Sequence, residues 1–199
     1  MSSTTGNSDP YLYPATDVLK NLRGLTDPEL LERFEARRTH RRIAELIDTP
    51  VPGRFDVAHL KAIHRYIFQD VYEWAGQFRT VNISKGGHLF GLAPFLEPAL
   101  RQILEKLAAE NYLANLDAAM FAGRAAWFLG EINAAHPFRE GNGRTQREFL
   151  RQAGLKAGHH IDWRATTPGE MTEASRLSHV SGDPSRFARL LRACIRDSG

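Results

Sequence analysis

Apolar residues recur at helical spacing along most of the 199-residue chain. Asp27 followed by Pro28 supplies an N-cap and a first-turn proline, predicting a helix to about Asp48. Pro50-Val51-Pro52-Gly53 breaks it, and Asp56 then caps a helix with Val57, Leu60, Ile63, His64 and Ile67 on one side. After Trp74-Ala75-Gly76 the period shortens to two. Val81 and Ile83 alternate with Thr80, Asn82 and Ser84, and Gly86-Gly87 offers a turn, so a short β-hairpin is expected, the only clear β signal. Helical spacing resumes near Pro98 with Leu100, Ile103, Leu104 and Leu107. It continues from about Asp117 to Ala135, carrying Phe121, Ala125, Phe128, Leu129 and Ile132 inward. A polar, glycine-rich run interrupts the pattern, and a helix follows from about Arg144 to Lys156, ending at Gly158. Two more helices open at Thr167-Pro168 and Asp183-Pro184. The pattern predicts an all-α fold, a helical bundle with one hairpin and no internal repeat.

Composition narrows the class. With 42% hydrophobic and 25% charged residues, the chain lies in the range of folded proteins, and its length predicts one domain over residues 1–199. Residues 1–10 are Ser/Thr/Gly/Asn-rich and expected to be flexible. They lack the basic-then-apolar order of a secretory signal, and no run approaches the roughly 18–20 apolar residues of a membrane span, so a cytoplasmic protein is expected. The single cysteine, Cys194, excludes an intramolecular disulfide and reads as core beside Phe187, Leu190 and Leu191. Net charge is +3, much of it in Arg37, Arg38, Arg41 and Arg42. That run could meet nucleic acid, but a solvated helix face is the simpler account, and no direct nucleic-acid role is expected.

The interrupting run, His136-Pro-Phe-Arg-Glu-Gly-Asn-Gly-Arg-Thr-Gln-Arg147, carries the chemistry. Gly141-Asn142-Gly143 can turn successive N–H groups into one concavity, and the following helix presents its positive end there. Arg144 and Arg147, three apart, share a helix face and can clamp phosphate oxygens. Glu140 beside such an anion site makes sense if Mg²⁺ lies between carboxylate and phosphate. His136 can accept a proton, and Phe138 anchors the loop in the core. Each element alone has an ordinary reading as a cap, a turn or a surface arginine. Together, in this order, they describe a phosphoryl- or nucleotidyl-transfer site.

The run resembles the Fic motif, His-x-Phe-x-(Asp/Glu)-Gly-Asn-Gly-Arg-x-x-Arg, at every specified position over 136–147. The likeness extends to Asp9-Pro10-Tyr11, to Asp70 through Gly76, to Val81 through Phe90 and to Gly158 through Trp163. It implies the Fic fold, with a hairpin called the flap at about 79–91 beside the active site. It implies transfer of AMP from ATP to a target Tyr, Thr or Ser hydroxyl, with release of pyrophosphate, in a bacterial cytoplasm. By the same resemblance His136 takes the hydroxyl proton and Glu140 holds Mg²⁺. The Gly141-Asn142-Gly143 turn and the Asn142 side chain stabilise the α-phosphate, and Arg144 and Arg147 bind the outer phosphates. Arg139, Thr145, Lys85 and Gly86 are further candidate nucleotide contacts. The flap would pair with an extended target segment as an added strand.

Two finer expectations follow from the resemblance. Phosphate-transferring relatives carry lysine at the second motif glycine, whereas this chain has Gly143, leaving room for an α-phosphate; phosphate transfer and a non-catalytic nucleotide-binding module are the alternatives. The family's inhibitory pattern, (Ser/Thr)-x-x-x-Glu-(Gly/Asn), is not met: Lys106 precedes Glu110-Asn111 and His136 precedes Glu140-Gly141 by four. A toxin restrained by a separate small antitoxin is therefore expected, with DNA gyrase B subunit and its topoisomerase IV counterpart as targets. Elsewhere, His159-His160-Ile161-Asp162 reads as loop packing rather than metal ligation, and His64 as a satisfied core or boundary histidine. Arg151 reads as a surface ion-pair partner, and Trp74, Trp127 and Trp163 as core.

Overall fold

A helix apolar around most of its circumference has to lie inside, and residues 118–135 form one. In the computed structural model, which describes residues 3–4 and 9–196, this helix is buried at Phe121, Ala122, Ala125, Ala126, Phe128, Leu129, Ile132 and Ala135. In chain order the elements are β1 (Ser3–Thr4), α1 (Pro28–Asp48), α2 (Val57–Phe68), β2 (Ile83–Lys85), β3 (His88–Leu89), α3 (Leu96–Ala109), α4 (Ala118–Ala135), α5 (Asn142–Ala157), β4 (His160–Ile161), α6 (Pro168–Ser181), α7 (Ser185–Cys194) and β5 (Ile195–Arg196). α4 packs against α3, α5, α6 and α7, while α2 bridges α1 to α5. α6 comes so near that a Cβ on Gly130 would stand 2.8 Å from the Ser178 hydroxyl.

The fold is all-α with short antiparallel pairs, as the periodicity predicts, and the starts of α1, α2, α4 and α6 follow the capping chemistry, whereas α7 begins at Ser185 after an N-cap Pro184 that offers no side-chain bond. Asp27 accepts from the Glu29 and Leu30 amides, Asp117 from Ala119 and Met120, and Thr167 with Glu170 forms a reciprocal capping box. α3 begins at Leu96, ahead of Pro98, because a proline in the first turn withholds an N–H that has no partner there. Gly86 and Gly87 take φ of +58° and +81°, the two positive angles of a tight hairpin turn, and set Lys85 opposite His88. Ile83 is fully buried, but Val81 lies outside the strands. Two β features carried no signal in the sequence: β1 pairs with β2, and β4 pairs with β5 beside α5. Strands of two residues are too short to show a period. Trp74 and Cys194 are buried, as expected, whereas Trp127 and Trp163 are only half-buried. Among the described residues no helix is long and apolar enough to cross a membrane.

The amino terminus is held where it is described. Ser3–Thr4 pair with Ile83 and Ser84, and the Asp9 side chain, 1% exposed, forms an ion pair of 2.8 Å with Arg139, itself 7% exposed. Residues 1–2 and 5–8, part of the segment expected to be flexible, lie outside the described residues. Removing one member of a buried pair strands the other charge, typically at about 3–5 kcal/mol. Asp9→Ala should destabilise the fold by about that much in urea unfolding. The double variant Asp9→Ala/Arg139→Met should recover much of the loss.

Candidate active site

α4 ends where His136 turns left-handed, at φ 47° and ψ 60°, sending the chain out of the helix into the loop. The loop is fastened from below by His64, which is fully buried. Its Nε2 donates to the Glu140 carbonyl at 3.1 Å and its Nδ1 accepts the Gly76 amide at 2.8 Å. Its ring stacks on Phe138 with centroids 3.8 Å apart. Burial pushes the His64 imidazole down to about 3, so it stays neutral, the satisfied core histidine its surroundings in sequence suggested. Asn142 closes the loop from above, accepting from the Phe138 amide at 2.9 Å and donating to the Phe138 carbonyl at 2.8 Å. Gly141 is required twice over: its φ is +81°, and a Cβ would stand 2.1 Å from the Phe68 ring.

These constraints start α5 at Asn142, two residues earlier than its side-chain pattern indicates, with no side-chain cap. Thr145 is the first residue whose amide bonds back, to the Gly141 carbonyl at 3.1 Å. The amides before it are left for a ligand. They face a cavity of about 290 Å³ lined by Lys85, His136, Arg139, Glu140, Gly141, Asn142, Gly143, Arg144 and Arg147, with Asn133 on α4 and Met171, Thr172 and Ser175 on α6.

The arginines differ. Arg144 is held by Glu35 at 2.6 Å, Thr39 at 3.1 Å and Glu140 at 3.5 Å, above the Phe68 ring. Arg147 has no ion-pair partner among the described residues, and burial, then the Arg144 charge, lowers its pKa. A desolvated, unpartnered guanidinium is a site awaiting an anion. Glu140 Oε1 accepts the Gly141 amide at 2.8 Å, and its half-exposed carboxylate has its other oxygen available to a hard cation. One carboxylate beside an anion site suits Mg²⁺, which takes its remaining ligands from phosphate and water. The His136 ring stacks on Phe90 at 4.0 Å. Burial lowers it to about 3, with Arg79, His179 and Lys85 adding in the same direction against the Asn133 backbone.

Not every candidate reaches the cavity in the same way. Thr145 is fully buried and its hydroxyl donates to the Gly141 carbonyl, so it braces the turn instead of lining the cavity. Gly86 sits at the hairpin tip, outside the lining residues. The Arg139 guanidinium is spent on Asp9, and the Asn142 amide on Phe138. Arg41 and Arg42 of the basic run pair with Glu45 and Asp70. Arg151 does pair with Glu148, but at 13% exposure it is largely buried, not on the surface. His159 bonds the Leu116 carbonyl, and His160 sits in β4.

Sequence reasoning missed four supporting residues. Glu35 and Thr39 fall on the inward stripe of α1 between Leu31 and Leu46, and polar residues in such a stripe were the available signal. Tyr72 donates to Glu35, and burial followed by that carboxylate raises its pKa. Arg79 is 2% exposed, and nothing local marks it.

The model of the Fic/DOC family matches residues 54–153, which include the cavity's loop and the hairpin. The chain belongs to the Fic/DOC family. It is 45% identical over 192 residues to protein adenylyltransferase VbhT of Bartonella schoenbuchensis, covering 96% of this chain and 40% of that protein. It thus spans well under half of VbhT. The probable protein adenylyltransferase y4lH of Sinorhizobium fredii is 40% identical, with 94% of this chain and 96% of that one covered. The Fic fold is matched over 95% of this chain and 97% of the other by the BepC effector protein of Bartonella tribocorum, solved with bound AMPPNP, at a TM-score of 0.88 and 30% identity.

The burial of His64 has a consequence for pH. The unfolded side chain titrates near its ordinary 6.5 and the folded one near 3. The stabilisation is therefore complete above about pH 6.5 and is lost as pH falls towards 3, by about 2 kcal/mol between 6.5 and 5. Proton NMR should show the His64 and His136 ring signals unmoved from pH 8 to 5, while urea unfolding shows lower stability at pH 5. A His64 midpoint near 6.5 would contradict the neutral, doubly bonded ring.

Proposed function

We propose that this Fic domain is a protein adenylyltransferase, moving AMP from ATP to a Tyr, Thr or Ser hydroxyl of a target protein and releasing pyrophosphate. One observation carries the reading: the unpartnered Arg147 and the uncapped end of α5 share one cavity with His136. The site offers positive charge for a polyphosphate and a neutral imidazole for a hydroxyl proton. Gly143 supports transfer at the α-phosphate, since the side chain nearest to where a Cβ would lie is the Arg147 guanidinium, at 3.3 Å. The names of VbhT and y4lH point the same way.

In this reading the triphosphate lies along the α5 terminus, with its outer phosphates on Arg147 and Arg144. The target hydroxyl gives its proton to His136 as its oxygen bonds to the α-phosphorus, and the bond to the pyrophosphate oxygen breaks. His136 is kept neutral by burial and can accept that proton, and the phosphate charge brought beside it raises its basicity. Glu140 would hold Mg²⁺, which supplies neutralisation of the phosphate oxygens. Incubation with ATP labelled at the α- or the γ-phosphate tests the reaction. Label should stay on protein only from the α position, and His136→Ala should lower transfer at least about 100-fold while still binding ATP. Retention of the γ-label alone would replace this reading with phosphate transfer.

The reading extends to restraint by a small antitoxin in a bacterial cytoplasm. Its support is that no inhibitory pattern occurs in the 199 residues and that Arg147 has no carboxylate partner among the described ones. DNA gyrase B subunit and its topoisomerase IV counterpart are the first acceptors to try. Induced expression of the folded chain alone should arrest bacterial growth, and His136→Ala should abolish the arrest. Normal growth with the active chain removes the toxin assignment without touching the chemistry.

A further inference from the structure

Arg79 is nearly inaccessible to water, yet among the described residues no carboxylate is its partner. Its guanidinium donates to four carbonyls. Nε reaches His136 at 2.9 Å, Nη1 reaches Val81 at 2.6 Å, and Nη2 reaches both Ala135, at 3.1 Å, and Gly91. The Arg79 amide adds a bond of 2.9 Å to the Pro137 carbonyl. Two of these carbonyls close α4 at the candidate base, and two flank the hairpin on its incoming and outgoing sides. The Gly91 amide donates to Ala134 at 2.9 Å, and Phe90 stacks on the His136 ring.

The chemistry explains why an unneutralised cation is tolerated. The last carbonyls of a helix are unpaired and carry partial negative charge, which a cation at that end satisfies. Only a planar fork with five donors reaches four separate acceptors; the three donors of a lysine radiate from one atom. We propose that Arg79 is a positioning residue that holds the flap and His136 in one register, so that a hydroxyl bound along the hairpin meets the base. It does not touch the phosphate cavity, whose lining residues exclude it. Its influence is on the acceptor side of the reaction and not on ATP binding.

The inference rests on the AMP-transfer reading and deepens it. The test compares Arg79→Lys, which keeps the charge, and Arg79→Met, which removes it, with the parent chain. The probes are ATP affinity by calorimetry and transfer of α-label to the proteins of a bacterial lysate. Both variants should bind ATP within about twofold of the parent while transfer at saturating ATP falls roughly 100-fold, the cost of misplacing a reacting group by about an ångström. The charge has a separate signature. His136 is faced by Arg79, His179 and Lys85, so Arg79→Met should move the His136 ring titration upward and Arg79→Lys should leave it. Full transfer by Arg79→Lys, or equal losses of ATP affinity and transfer, overturns the proposal. Should neither variant fold, amide exchange in the parent decides. Gly91 and His136 amides should gain protection together when an acceptor protein from the lysate is bound, and protection at one alone overturns it. Absence of α-label transfer by the parent is a different failure, that of the AMP-transfer reading itself.

Discussion

α4 runs through the middle of the bundle and stops at His136, and most of the site depends on how that stop is made. A helix end buried among other elements leaves carbonyls that water cannot reach. Arg79 satisfies the last of them while binding both sides of the hairpin. His136, freed into a left-handed conformation, begins the loop that returns to α5. Were the end of α4 frayed, the loop would have no fixed origin, and the hairpin no fixed place beside it.

The loop is then held at three further points. His64 sits beneath Glu140 with both ring nitrogens engaged, Asn142 pairs with the backbone of Phe138, and Phe68 fills the space that only glycine leaves at position 141. This rigidity leaves the α5 amides and Arg147 without partners in a partly desolvated place. The groups that would bind a phosphate keep free donors because the backbone around them is fixed by other contacts. Stability is supplied largely from α2 and Asn142, and binding capacity is left to Arg147 and the α5 amides.

The two motif arginines show how far a linear pattern can mislead about equivalence. They are three residues apart on one face and look alike in sequence. Glu35 from α1 neutralises Arg144 and Tyr72 steadies Glu35, while no carboxylate among the described residues reaches Arg147. Arg139 and Thr145 have equal standing within the run, yet one is buried against Asp9 and the other braces its own helix. A position in a motif says that a residue belongs to the site's construction. Its surroundings decide whether it meets the ligand or holds what does.

From the sequence by itself come the helices, their caps, the hairpin turn and the motif's chemistry. Capping, periodicity and glycine's access to positive φ act between residues within a few positions of one another, so they can be read along the chain. The same holds for the family resemblance, whose defining motif is a contiguous run. Only the tertiary structure decided that Asp9 pairs with a residue 130 positions away, that Glu35 claims Arg144, and that a guanidinium with no local signature joins hairpin to base. Those contacts arise from burial of polar groups brought together by packing. Burial is a property of the assembled core, and no window of sequence contains it.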